Sequence, residues 1–146
     1  DIDPNHPVMT VLAGIGDEKI DALLELCPSI DVLGVNKYGN AENIPHGLLA
    51  AGYDGPYIVT EYGPRGWWES PVTAWGAQVE PTSAEKAEMY RRSHQGAVTD
   101  SPDRCLGSYV FLWTRNHWSS LFKLAPTLRP AWRSSMPTMT NCGLSG

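Results

Sequence analysis

The residues best suited to chemistry are gathered in Tyr57-Ile58-Val59-Thr60-Glu61-Tyr62-Gly63-Pro64-Arg65-Gly66-Trp67-Trp68-Glu69, where a short apolar run meets a carboxylate and then a loop of glycine, proline and aromatics. A glutamate closing such a run is costly unless it is paired, hydrogen-bonded or solvated by a cleft, so its position is a functional hint. The plainer reading is a carboxylate that reaches solvent as the strand runs out. A second polar set, Asn36, Lys37, Tyr38, Gly39 and Asn40, follows another apolar run in the same way. His94 has no partner nearby in sequence and reads as a surface or packing residue. Cys27, Cys105 and Cys142 are odd in number, far apart and without CxxC or His-spaced partners, which points to core or free thiols rather than a zinc site or disulfide framework.

The elements that must position these groups follow from turn signals and periodicity. A strand is expected over residues 7–12. Residues 17–26 carry acidic groups in their first turn and apolar groups at 20, 23, 24 and 26, the pattern of a short amphipathic helix. Residues 31–36 read as a second strand, 44–51 as a helix with Pro45 in its first turn, and 57–61 as a strand buried on both faces. Residues 64–80 form a long loop with three tryptophans. Pro81-Thr82-Ser83 opens a hydroxyl-capped helix that runs to about Thr99, and residues 107–113 form a fourth strand ending at Trp113. Strand and helix thus alternate, which implies parallel strands joined by right-handed crossovers, with chemistry at their carboxyl ends.

Composition limits the partners. The chain has 146 residues, enough for one core, with 42% hydrophobic and only 18% charged residues. Six Trp and six Tyr against two Phe give many apolar rings with a polar edge, which suits a binding cleft. A net charge of −5 offers no basic face, so nucleic acid and a membrane surface are both discounted. No apolar run approaches a membrane span and no signal-peptide pattern opens the chain, while Asp1 in place of Met suggests a missing leader or upstream portion.

Four stretches, DPNHPVMTVLAG, IDVLGVNKYGN, PYIVTEYGPRGWWE and LGSYVFLW, covering about residues 3–115, resemble the fifth to eighth strands of the (β/α)8 catalytic domain of retaining glycoside hydrolases. The resembling clan, clan A, includes the family 2 β-galactosidase and β-glucuronidase relatives. The resemblance implies an α/β fold, half of a (β/α)8 TIM barrel, with residues 1–125 as the half-barrel domain and 126–146 as an irregular tail. It makes Glu61 the nucleophile, sets Trp113 as the floor of the sugar site, and puts Asn36 and Tyr38 beside the nucleophile. Arg65, Trp67, Trp68, Glu69 and Trp75 would shape the substrate site, the indoles stacking on sugar or packing the loop onto the barrel rim. Carbohydrate is the implied partner, and neither a cofactor nor a metal is called for.

Retaining hydrolysis uses two carboxyl groups about 5–5.5 Å apart. The resembling clan carries the second on its fourth strand, after an asparagine, in the half absent from this sequence, and no Asn-Glu pair ends a strand here. Glu69 and Glu80 are stand-ins for it, or sugar contacts, or solvated side chains. A half barrel leaves two sheet edges unpaired, which invites a homodimer or a completing half-barrel chain. A two-fold dimer would complete eight strands without restoring the missing acid. The tail from residue 126 is rich in Ser, Thr, Pro and Met, holds no acidic residue, and lacks the period of an eighth helix; a shifted reading frame or an incomplete gene fragment would explain it. Three functions remain open: a retaining glycoside hydrolase, a carbohydrate-binding half barrel without turnover, and a structural protein acting through its sheet edges.

Overall fold

The β-branched and aromatic runs form four strands, β1 (Met9–Ala13), β2 (Val32–Tyr38), β3 (Tyr57–Gly63) and β4 (Cys105–Val110), in a computed structural model that describes residues 5–111. Trp113 and the whole of residues 126–146 lie outside the described residues. The strands are all parallel and lie in the order β1-β2-β3-β4. Helices α1 (Asp17–Leu26), α2 (Ile44–Ala50) and α3 (Ser83–His94) connect them, and α3 continues as a π-helical turn, Gln95–Thr99. The architecture is an α/β fold built on a four-stranded parallel sheet.

Among the described residues, only one face of this sheet is covered. Leu12, Leu33, Val35, Tyr57, Val59 and Tyr62 pack with Ile20 and Leu23 of α1, Ile44 and Leu48 of α2, and Ala97 of the π turn in a single core. The opposite face holds the alternate residues of β1 and β2, and there Met9 and Val11 remain 46% and 45% exposed. The expectation of a β3 strand buried on both faces is therefore corrected: Tyr57, Val59 and Tyr62 are buried, whereas Ile58, Thr60 and Glu61 are half-buried.

α1 has its expected bounds, and Lys19 Nζ donates to the Ala13 carbonyl at the end of β1. α3 begins as its hydroxyl cap suggested, in a capping box where Thr82 Oγ1 accepts from Glu85 N and Glu85 returns a bond to Thr82 N. Its core-facing side is more polar than the apolar positions suggested. Tyr90 packs edge-on against Tyr62, Ser93 Oγ donates to Glu42, and Arg92 pairs with Glu42 at 2.9 Å. His94 is exposed and lies by Thr99 Oγ1, in keeping with a surface role. The π turn widens where the Ala97 carbonyl accepts the Tyr57 hydroxyl at 2.6 Å, a bond that pins α3 to the centre of the sheet. At the amino end of the strands, Arg104 bonds the carbonyls of Tyr53 and Asp54 and lies over the Tyr57 ring.

Tyr57→Phe would strip the Ala97 carbonyl of that buried donor without altering the ring. The expected loss is roughly 1–2 kcal/mol in urea denaturation, with a slope like that of the wild type. An unchanged midpoint would show that the docking of the π turn does not depend on this bond.

Candidate functional site

Simple alternation along β3 would aim Glu61 at the helix side, together with Tyr57 and Val59. The ladder between β2 and β3 prevents this. Val35 pairs with Val59 but Asn36 pairs with Glu61, so one extra residue is inserted in β3. Such a bulge turns two successive side chains toward the same face. Thr60 and Glu61 accordingly both meet side chains of the open face, and Tyr62 takes the core position. β3 then continues to Gly63, so Glu61 stands within the last turn of the pleat rather than at the strand's final residue.

On the open face the Tyr38 hydroxyl donates a hydrogen bond to Glu61 Oε2. Burial, and then the bond to this carboxylate, hold the Tyr38 phenol well above its ordinary pKa. Tyr38 is held from two other sides by ring contacts, edge-on to Trp68 at 5.6 Å between centroids and edge-on to Phe111 at 6.1 Å. Beside it, Thr60 Oγ1 donates to Asn36 Oδ1 at 2.6 Å, which fixes the amide next to Glu61 in register. Glu61 Oε1 has no hydrogen-bond partner among the described residues.

Two glycines make this approach of strand ends and loop feasible. A Cβ on Gly63 would overlap the carbonyl oxygen of Phe111, so only glycine lets β4's end close on β3 here. Gly39 adopts φ +75° just after β2 and donates its amide to the Gly63 carbonyl at 2.9 Å. A Cβ at Gly39 would lie 3.1 Å from Glu69 Oε2 and 3.5 Å from Arg65, so the start of the long loop folds over this turn.

The sequence-predicted residues divide into those that converge and those that do not. Glu61, Tyr38, Asn36 and Trp68 form one cluster, and Trp67 joins it edge-on to Trp68 at 6.0 Å. Arg65 and Glu69 border it at Gly39 and are exposed. Trp75 stands apart on a hairpin, and Trp113 lies outside the described residues. Glu80 is taken up in an ion pair with Lys86 at 3.3 Å near the start of α3. Sequence reasoning missed Thr60 and Phe111, although the Gly63-Pro64 break after β3 signalled that its last residues would be irregular. The loop expected at 64–80 is also more ordered than a plain loop, with a 3₁₀ turn at Trp67–Glu69 and a Val72–Gln78 bridge.

Compared with known families and curated proteins, the chain matches no family model and no curated protein. Among the described residues, no three or more His, Cys, Asp or Glu side chains are grouped to hold a metal ion, and no helix is long and apolar enough to cross a membrane.

The raised phenol of Tyr38 has a definite pH signature. Its folded pKa lies above the unfolded value near 10, so the folded state keeps a proton that the unfolded chain gives up. This contribution is full below about pH 10 and fades as pH rises beyond it. Tyr38→Phe should flatten the alkaline fall in thermal stability above about pH 10 relative to wild type, as read by melting curves from neutral to alkaline pH. An identical alkaline slope in both proteins would contradict the assignment.

Proposed function

We propose that this chain is a glycoside hydrolase-like half barrel of the retaining type, with Glu61 as nucleophile. The observation that carries the reading is the Glu61 carboxylate on the sheet face opposite the helices, near the strands' carboxyl ends, with one oxygen held by Tyr38 and the other without a hydrogen-bond partner among the described residues. A sheet wound in simple order, with every described helix on one face, supports half of a (β/α)8 barrel over a doubly wound sheet, whose helices cover both faces. Indoles beside the carboxylate support a sugar as ligand, because a pyranose offers an apolar C–H face to an aromatic ring.

In this reading the Tyr38 hydroxyl fixes the orientation of Glu61. The other oxygen attacks the anomeric carbon as the bond to the leaving oxygen breaks, giving a glycosyl-enzyme ester that water then hydrolyses with net retention. Trp68 and Trp67 flank the ring, and Asn36, Arg65 and Glu69 offer groups to its hydroxyls. Trp113 belongs to the same proposal as the floor of the site. The leaving oxygen needs a proton, and among the described residues the contacts of Glu61 and Tyr38 include no second carboxylate. That observation favours a second reading, sugar binding without turnover, unless a completing half barrel of different sequence pairs with the β1 and β4 edges and brings the acid.

Nitrophenol release from a panel of aryl glycosides separates the readings, because an activated leaving group needs little protonation. The hydrolase reading expects slow turnover that falls to background in Glu61→Ala. Added azide should restore product as a glycosyl azide of inverted configuration, since the small anion takes the place of the missing carboxylate. Turnover that survives Glu61→Ala, or none from folded protein at any assembly state, would remove Glu61 from the role of nucleophile.

A further inference from the structure

We propose that the hairpin of residues 71–79 is a further subsite for an uncharged oligosaccharide, with the Trp75 indole as the platform for a sugar ring other than the one at Glu61. The inference rests on the carbohydrate reading above and extends it from a single sugar to a chain of several. Trp75 is 82% exposed, the most exposed of the large apolar side chains described, so its ring is left in water in the folded protein. The backbone beneath it is nonetheless firmly built. Val72 and Gln78 pair in antiparallel fashion, Thr73 N donates to the Ala77 carbonyl at 2.7 Å, and Thr73 Oγ1 accepts from Ala77 N at 3.0 Å. Gly76, at φ +80°, closes the tight turn next to the indole, and Val79 N donates to the Pro71 carbonyl. A ring fixed on such a turn forfeits little conformational entropy when a ligand stacks on it.

The surroundings indicate the chemistry of that ligand. Residues 70–79, Ser-Pro-Val-Thr-Ala-Trp-Gly-Ala-Gln-Val, carry no charged side chain. Nucleic acid would require cations here, and an anionic sugar would require at least one. Val72 and Val79 add exposed apolar area on either side of the tip. Gln78 Nε2 donates to the Trp67 carbonyl at 3.1 Å, which ties the hairpin to the 3₁₀ turn bearing Trp67 and Trp68 and leaves the Gln78 carbonyl oxygen to accept from a hydroxyl. A neutral pyranose, apolar on one face and ringed with hydroxyls, matches a bare indole with an amide acceptor close by. The Gln78–Trp67 bond joins this platform to the turn that bears the site aromatics, which is why the proposal takes a ligand of several rings rather than one.

The test is titration of Glu61→Gln protein with neutral β-linked gluco-, manno-, xylo- and galacto-oligosaccharides of one to six rings, followed by calorimetry and tryptophan fluorescence. The Gln background prevents turnover, so binding is read independently of catalysis. The expected result is affinity that rises with chain length in one of the series. Trp75→Ala should weaken the longer members by about fivefold or more while leaving the monosaccharide unchanged, and Trp75→Tyr should retain part of the gain. Affinity independent of length, or equal in the Trp75→Ala protein, would overturn the subsite. So would failure of every series to bind, most directly if sedimentation then showed self-association that Trp75→Ala abolishes, which would make the indole a protein contact. Length-dependent binding in a protein that releases no nitrophenol would keep the subsite and reject only the hydrolytic role of Glu61.

Discussion

The candidate site depends on one irregularity in one strand. β3 contains an extra residue where Asn36 meets Glu61 instead of the next residue in simple alternation. Without the bulge, the two-residue period would drive a carboxylate into a core of Leu33, Val35, Tyr57 and Val59 and expel Tyr62 from it. An unpaired buried carboxylate is far too costly to persist in such surroundings. With the bulge, Tyr62 supplies apolar volume and an edge-on contact for Tyr90, while Glu61 reaches a phenol that can donate to it. Core packing and chemical placement are satisfied by the same local defect.

Everything around Glu61 helps to hold that defect in place. Thr60, the other bulged residue, is locked to Asn36, and Tyr38 is wedged between Trp68 and Phe111. The Gly39 amide and the Gly63 carbonyl join the ends of β2 and β3 just beyond the site. From the covered side, Tyr57 anchors the π turn after α3 through the Ala97 carbonyl, so the strand carrying Glu61 is also the one to which the longest described helix is bonded. α3 contributes little apolar area of its own. Its attachment relies on a buried Ser93, the pairing of Arg92 with Glu42, and the Tyr62–Tyr90 contact, all near the carboxyl half of β3.

The contrast between the two sheet faces gives the site its character. One face is closed by three helices around a continuous core, and the other displays Met9, Val11 and Ile58 toward the strands' amino ends and Asn36, Tyr38, Thr60 and Glu61 toward their carboxyl ends. Polarity is concentrated where the loops after the strands gather, the usual location of ligand chemistry in parallel α/β folds. Glu61 is therefore half-buried and hydrogen-bonded yet reachable, a combination that neither the core nor a fully solvated loop would provide.

The order of elements was legible in the sequence because it is written in local signals: β-branched runs, acidic first turns, Pro45, the Thr82–Glu85 capping box and the Gly-Pro breaks. The bounds of α1 and the importance of Glu61 and Tyr38 as polar residues behind apolar runs were visible in the same way. The bulge was not, because a two-residue period carries no mark of where one residue is skipped; the register is settled by which side chains β2 offers across the ladder. For the same reason Thr60 and Phe111 gained their roles only in three dimensions, from residues 24 and 73 positions away. Glu80 pairs with Lys86, a contact that only the folded chain shows, and Trp75 stands on a hairpin that its single-letter sequence disguises as loop. Local residue chemistry determined which elements form and which side chains are reactive in kind, whereas long-range pairing decided which of them meet.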